Sequence, residues 1–212
     1  MAFTIGNFDG VHLGHQAILA TLRKTCAPTC VLTFVEHPFK LLRPKEVPSV
    51  ITPFPIKRLF FQTDFCLLLP FTSALASMTY NELLDRLPIS HLVLGKHSLF
   101  GQHREGTESN VRAWGKQHSV HIDYIDKHPG VSSTEIRNAI QRGNLPQAEQ
   151  LLGRPHLLYA PSQRFSASHL TLPPDGTYVL SQGVATIQNQ MIELSISIEH
   201  PTILSFNKEF YV

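Results

Sequence analysis

The run Gly6-Asn7-Phe8-Asp9-Gly10-Val11-His12-Leu13-Gly14-His15 is the part of this chain best equipped for chemistry. Its three glycines let a backbone come close to a bulky anion. Its two imidazoles, His12 and His15, can donate hydrogen bonds to phosphoryl oxygens as negative charge grows on them, which is what nucleotidyl transfer needs. By themselves they also read as half a metal site, and a glycine-rich turn after a strand is common in α/β proteins. A second element narrows the choice. Val131-Ser132-Ser133-Thr134-Glu135-Ile136-Arg137 combines hydroxyls, the amides of a helix start and a guanidinium one turn in, which together cradle an anion. Alone it reads as a Ser132/Glu135 capping box with a surface arginine. The two elements together point to phosphate binding.

Such groups need a frame. Short apolar, β-branched runs at Ala2 to Ile5, Cys30 to Phe34, Phe65 to Leu69, His91 to Leu94 and Val120 to Ile125 read as buried strands. Helical periodicity separates most of them, over Gln16 to Lys24, Thr79 to Leu87 and Glu108 to Gln117. That alternation predicts an α/β fold, a Rossmann-like parallel sheet with helices on both faces. The glycine and histidine run then falls between the first strand and the first helix, where such sheets bind ligands. Two further helices are expected, one after Ser132 ending at Gly143, the other from Pro146 to Leu152 ending at Gly153. Beyond Pro155 the pattern changes to strands at Tyr178 to Leu180, Val184 to Gln188 and Met191 to Ile198, a small antiparallel β-barrel-like module. The expected division is residues 1–155 and 156–212.

With 212 residues, 42% hydrophobic and 16% charged, the chain is a folded protein rather than a disordered one. A net charge of +2 without basic clusters argues against nucleic acid as a partner. The first residues lack a signal-peptide pattern, and the most apolar stretch, Leu59 to Phe71, is broken by Gln62, Thr63 and Asp64, so no membrane partner is expected. Cys26, Cys30 and Cys66 are too few and too oddly spaced for a disulfide framework or a zinc motif, which predicts a cytoplasmic setting and no resident metal. Nothing in the sequence speaks to oligomeric state.

The run from Ile5 to Gln16, the Ser132-Ser133-Thr134-x-Ile136-Arg137 element and Leu151-Leu152-Gly153-Arg154-Pro155 resemble the prokaryotic FAD synthetase family, the bifunctional riboflavin kinases and FMN adenylyltransferases. Weaker matches lie between them, so the resemblance covers about residues 1 to 155. It implies a nucleotidyltransferase of the HxGH type that joins the AMP part of ATP to FMN, giving FAD and pyrophosphate. Position by position, it implies that Gly6, Asn7, Phe8, Asp9, Gly10, His12, Gly14 and His15 hold ATP. Ser133, Thr134 and Arg137 would bind the departing phosphates, with His12, His15 and Arg137 catalytic. Mg²⁺ would accompany ATP, and the flavin would lie against His37, Gly95, His97 and Phe100.

Some positions depart from the family pattern. His97 stands where an acidic or amide residue is usual, and Glu36 replaces a proline beside His37. In the C-terminal module Glu193 matches the kinase base. The kinase's Gly-Phe-Pro-Thr-Ala-Asn signature aligns with Arg164-Phe165-Ser166-Ala167-Ser168-His169, without its Thr and Asn. The expectation is therefore an FMN adenylyltransferase whose riboflavin kinase activity is lost. Three alternatives stay open: a bifunctional enzyme, a related nucleotidyltransferase with another phosphorylated acceptor, and a flavin- or nucleotide-binding protein without turnover.

Overall fold

The computed structural model describes residues 1–126 and 128–211, and side chains up to Asn207 apart from Lys127. In chain order the elements are β1 (Ala2–Ile5), α1 (Leu13–Arg23), β2 (Thr29–Phe34), α2 (Phe39–Leu42), α3 (Phe54–Phe61), β3 (Phe65–Leu69), α4 (Ser73–Ala76), α5 (Tyr80–Asp85), β4 (His91–Gly95), α6 (Glu108–His118) and β5 (His121–Ile125). Then follow α7 (Ser133–Gln141), α8 (Leu145–Leu152), β6 (Leu157–Ala160), β7 (Arg164–Ser166), β8 (Gly176–Leu180), β9 (Val184–Gln188), β10 (Met191–Leu194) and β11 (Thr202–Tyr211).

The first five strands form the expected sheet, in the order β3-β2-β1-β4-β5, with every neighbouring pair parallel. Its central strands read as unbroken apolar runs because both faces are covered: all of β1 and residues 92–94 of β4 are buried. Phe3, Ile5, Leu32, Leu92, Leu94, Val111 and Trp114 join in one core cluster. The order reverses at β1, whose neighbours are β2 and β4, so the carboxyl end of β1 is the switch point of the sheet.

The other six strands make a nearly closed antiparallel sheet in the order β6-β11-β8-β9-β10-β7. In β9 and β10 buried and exposed residues alternate, as expected of a sheet with one face on a core. Asn189 and Gln190 turn the β9–β10 hairpin, both at positive φ. The strand expected over Met191 to Ile198 stops at Leu194, because the Ser195 hydroxyl accepts from the Val184 amide at 2.9 Å and closes the ladder. Strands β6, β7 and β11 escape a reading by periodicity. The first two are short, and β11 pairs with strands far away in sequence.

The packing does not follow a single cut in the sequence. One compact unit comprises Met1–Phe8, Gly14–Pro48 and Phe61–His128, and the other comprises Asp9–Leu13, Ser49–Phe60 and Pro129–Val212. In the second unit the buried faces of α7 (Ile136, Ala139, Ile140) and α8 (Leu145, Ala148, Leu152) share one core cluster with Leu158, Tyr178, Ile192, Leu204 and Phe206 of the barrel strands.

His156 lies inside this second core. Its Nε2 donates to the Thr171 carbonyl at 3.2 Å, and its ring stacks on Phe206. Burial pushes its pKa down from 6.5 to about 4, aided by the charge of Arg154 and opposed by the bond to Thr171. As pH falls, the unfolded chain takes up this proton from about 6.5 whereas the folded chain does so only near 4, so the residue's contribution is complete above 6.5 and is lost on acidification. Urea unfolding of the wild type and His156→Leu at pH 7.5 and 4.5 should show the variant's stability falling less across the interval, by about 2 kcal/mol. Equal losses in the two proteins would show that His156 is not buried as a neutral group.

Candidate functional site

The run that follows β1 leaves the first unit after Phe8 and rejoins it at Gly14, so each unit holds its own group of the expected residues. In the first unit the Gly6 amide continues the strand pairing by donating to the Leu32 carbonyl at 3.0 Å, and the Thr33 hydroxyl donates to the Asn7 carbonyl at 3.3 Å. Phe8 has φ 52° and is buried, its ring edge-on to His15 at 5.1 Å and to Phe61 at 5.7 Å between centroids. His15 is thus oriented by an aromatic neighbour. Helix α1 begins at Leu13, three residues before the expected Gln16, so Gly14 and His15 belong to its first turn. The helical amides there have no intrahelical partner, which makes this turn an anion-binding end. A glycine in that turn hid the helix start from a reading by propensity.

The second unit holds Asp9, Gly10 and His12. Asp9 is the centre of a buried network. Its Oδ1 accepts from the amides of Ile51 (3.0 Å) and Thr52 (3.1 Å), and its Oδ2 from the Ile51 amide (3.2 Å) and Arg137 Nη2 (2.7 Å). Arg137 also donates from Nε to the Ser49 carbonyl at 2.7 Å, and the Ser133 hydroxyl donates to the Asp9 carbonyl at 2.9 Å. Gly10, at φ 87°, would strain any side chain. Its carbonyl accepts from Arg154 Nη2 at 2.8 Å, and the same nitrogen reaches Thr52 Oγ1 at 3.1 Å. The Arg154 guanidinium lies 4.3 Å from the Phe60 ring centroid, and burial lowers its pKa to about 10. His12 is buried just ahead of α1, whereas Thr134 is exposed in the first turn of α7.

Of the residues named from sequence, Asp9, Ser133 and Arg137 therefore come together, as do Phe8 and His15. The Ser132 cap forms as expected, accepting from the Glu135 amide at 3.1 Å. The residues assigned to the flavin side lie in the first unit, in segments that follow the carboxyl ends of β2 and β4. Gly95 ends β4, where a Cβ would meet Ile18 at 3.1 Å. His97 is exposed at φ 69°, and Phe100 packs partly buried against the first core. His37 accepts from the Phe39 amide on Nδ1 at 3.1 Å and so helps start α2. Glu193 is exposed on β10, opposite Arg164 and Thr186.

Sequence reasoning assigned no role to Arg154, nor to the Ser49–Thr52 backbone that receives Asp9. The signal for Arg154 was present in Gly153-Arg154-Pro155. The Ser49–Thr52 backbone has no signal, since main-chain donors are common to all residues.

The first unit carries a glycine and histidine run after the central strand of a parallel sheet, and the second joins a β-barrel to a hydroxyl- and arginine-bearing helix tied to Asp9, which defines an α/β protein carrying a β-barrel. Comparison with known proteins gives the family. The FAD synthetase family model matches residues 1–138. The FAD synthetase of Listeria monocytogenes is 30% identical over 92% of this chain and 87% of its own length. The bifunctional riboflavin kinase/FMN adenylyltransferases of Pseudomonas fluorescens and Escherichia coli K12 are 34% and 32% identical, each over 72% of this chain. The chain spans only 54% of each of these bifunctional relatives. A crystal structure titled as a macrolide-efflux protein from Streptococcus pneumoniae superposes with a TM-score of 0.78 at 22% identity, covering 97% of this chain and 84% of that one, which extends the likeness of fold to both sheets. The chain belongs to the FAD synthetase family.

The Asp9–Arg137 pair is nearly dry, with side-chain exposures of 7% and 13%. Removing one member of such a pair leaves an uncompensated buried charge, at about 3–5 kcal/mol. Arg137→Met should lose stability on this scale in urea unfolding. Arg137→Lys, which keeps the charge but not both contacts, should lose roughly 1–2 kcal/mol. An Arg137→Met protein as stable as the wild type would remove the pair from its anchoring role.

Proposed function

We propose that this chain transfers the AMP part of ATP to FMN, giving FAD and pyrophosphate. The placement of the Gly6–His15 run directly after the central strand, at the switch point of the sheet, carries this reading, and family membership supplies the acceptor. An oxygen of the FMN phosphate attacks the α-phosphorus in line. That new O–P bond forms as the bond to the bridging oxygen breaks, and pyrophosphate leaves with the electron pair. Gly6, Asn7, Phe8, Asp9, Gly10 and Gly14 shape the backbone around ATP. His12 and His15 donate to oxygens of the transferring phosphoryl as charge builds. Ser133, Thr134 and Arg137 face the departing phosphates. His37, Gly95, His97 and Phe100 lie on the flavin side, with the imidazole of His97 in place of the usual amide or carboxylate.

The one carboxylate of the run, Asp9, already serves two amides and Arg137, and imidazoles suit a hard cation poorly. The donor set of the run therefore does not form a protein-built Mg²⁺ site. Mg²⁺ would accompany ATP and would supply charge neutralisation.

We assign residues 1–155 to this transferase and 156–212 to a barrel without riboflavin kinase activity. Ala167 is buried and has no ligand atom. Thr171, the threonine that could stand in, is buried with its Oγ1 at 2.8 Å from Ser49 Oγ. A cytoplasmic reaction fits the three free thiols, and the small net charge offers nothing for nucleic acid. Among the described residues no helix is long and apolar enough to cross a membrane.

Purified protein with ATP, Mg²⁺ and FMN should form FAD, and His15→Ala should turn over about two to three orders of magnitude more slowly while folding normally. Wild-type turnover in both His12→Ala and His15→Ala would refute the assignment of the run. With riboflavin in place of FMN, neither FMN nor FAD should accumulate. A rate comparable to that from FMN would restore the kinase to the barrel.

A further inference from the structure

The edge of the five-stranded sheet opposite the glycine and histidine run carries a second cluster of chemically capable side chains. His91 and His121 are the first residues of β4 and β5, and they stand side by side in the parallel register. Asp123 lies two residues beyond His121, so its side chain leaves the same face of the sheet. Its carboxylate faces both rings. Asp123 Oδ2 is 2.8 Å from His91 Nε2, and Oδ1 is 3.3 Å from His121 Nε2. The two rings meet edge to face, with centroids 4.5 Å apart, and one ligand atom from each of the three residues lies within 4.8 Å of the others.

We propose that His91, His121 and Asp123 form a surface site for a borderline divalent transition-metal ion, with Zn²⁺ as the type. Ligands about 2.0–2.1 Å from a tetrahedral ion are separated by roughly 3.3 Å, the spacing found for His121 and Asp123, whereas the His91–Asp123 hydrogen bond at 2.8 Å must open by about 0.5 Å to admit the ion. Two imidazoles and one carboxylate select such an ion over Mg²⁺ or Ca²⁺, which prefer oxygen. The exposures fit an accessible ion with an open fourth position: 20% for the His91 side chain, 37% for Asp123 and 67% for His121. All three ligands come from adjacent strands of one parallel pair, so strand register fixes their backbones before an ion binds. A hydrogen-bonded His–Asp–His cluster is the competing account, and it predicts no affinity for metal.

This site is independent of the adenylyl transfer, and its test reads binding rather than turnover. Full-length protein freed of metal by chelation is titrated with Zn²⁺ by calorimetry, and with Co²⁺ by visible absorption. The wild type should bind one ion saturably at this site, with a Co²⁺ spectrum of low coordination number. His121→Ala and Asp123→Asn each change an exposed or half-exposed side chain, and each should weaken that binding at least tenfold while circular dichroism stays unchanged. Because His12 and His15 remain in both variants, loss of binding there separates this site from the imidazoles of the run. No saturable binding by the wild type, or less than a tenfold change in either variant, overturns the proposal.

Discussion

The arrangement of the second unit depends on one buried carboxylate. Asp9 has left water, which costs several kcal/mol for an isolated ion, and the cost is offset by two backbone amides and a guanidinium supplied from segments distant in sequence. This makes Asp9 a fixed point. The Ile51 and Thr52 amides can reach it only if the Ser49–Thr52 segment lies alongside, and Arg137 only if α7 presents the face one turn in from its start. Arg154 then takes the neighbouring Gly10 carbonyl. Three separate stretches of chain are thus tied to two consecutive residues of the glycine-rich run, whose backbone is set before any ligand arrives. Preorganised donors of this kind stabilise a transition state without reorganising during reaction.

The first unit solves a different problem with backbone register alone. In a parallel sheet all carboxyl ends lie on one edge and all amino ends on the other. The segments after β1, β2 and β4, with Asn7, His37 and His97, therefore share an edge, whereas the starts of β4 and β5 place His91 and His121 at the far edge. One sheet can carry two kinds of chemistry without either interfering with the other. The carboxyl edge uses loops and a helix start, suited to phosphates. The amino edge uses side chains standing on strands, whose spacing suits a metal.

What the sequence could reveal follows from how each feature is encoded. The five parallel strands are apolar runs separated by helical periods, so their identity and alternation were legible, and the run after β1 was legible from its residue types. Caps encoded in one stretch, such as Ser132 with Glu135, were legible too. Pairing between distant segments was not. Nothing in Asp9 or Arg137 alone says that they meet across 128 residues. His91 and His121 become neighbours only through strand register, and their separation matches no metal motif. Helix α3 and strands β6, β7 and β11 were missed for a related reason: they are fixed by what they pack against rather than by local pattern.

The shared core gives the barrel a structural role of its own. The buried face of α7 is Ile136, Ala139 and Ile140, and these pack in one cluster with Leu158, Tyr178, Leu180, Leu204 and Phe206. An isolated helix of nine residues would be marginal in water, so α7 depends on that apolar surface for its existence. Burial of each large apolar side chain contributes about 1.5–3 kcal/mol. Ser133 and Arg137 project from the same short helix, and both are bonded to Asp9. Loss of the barrel would expose the α7 face, release the helix and leave the Asp9 carboxylate without its counter-charge. The residues that fill the interior of the barrel therefore hold the site-bearing helix α7 as well as the barrel itself.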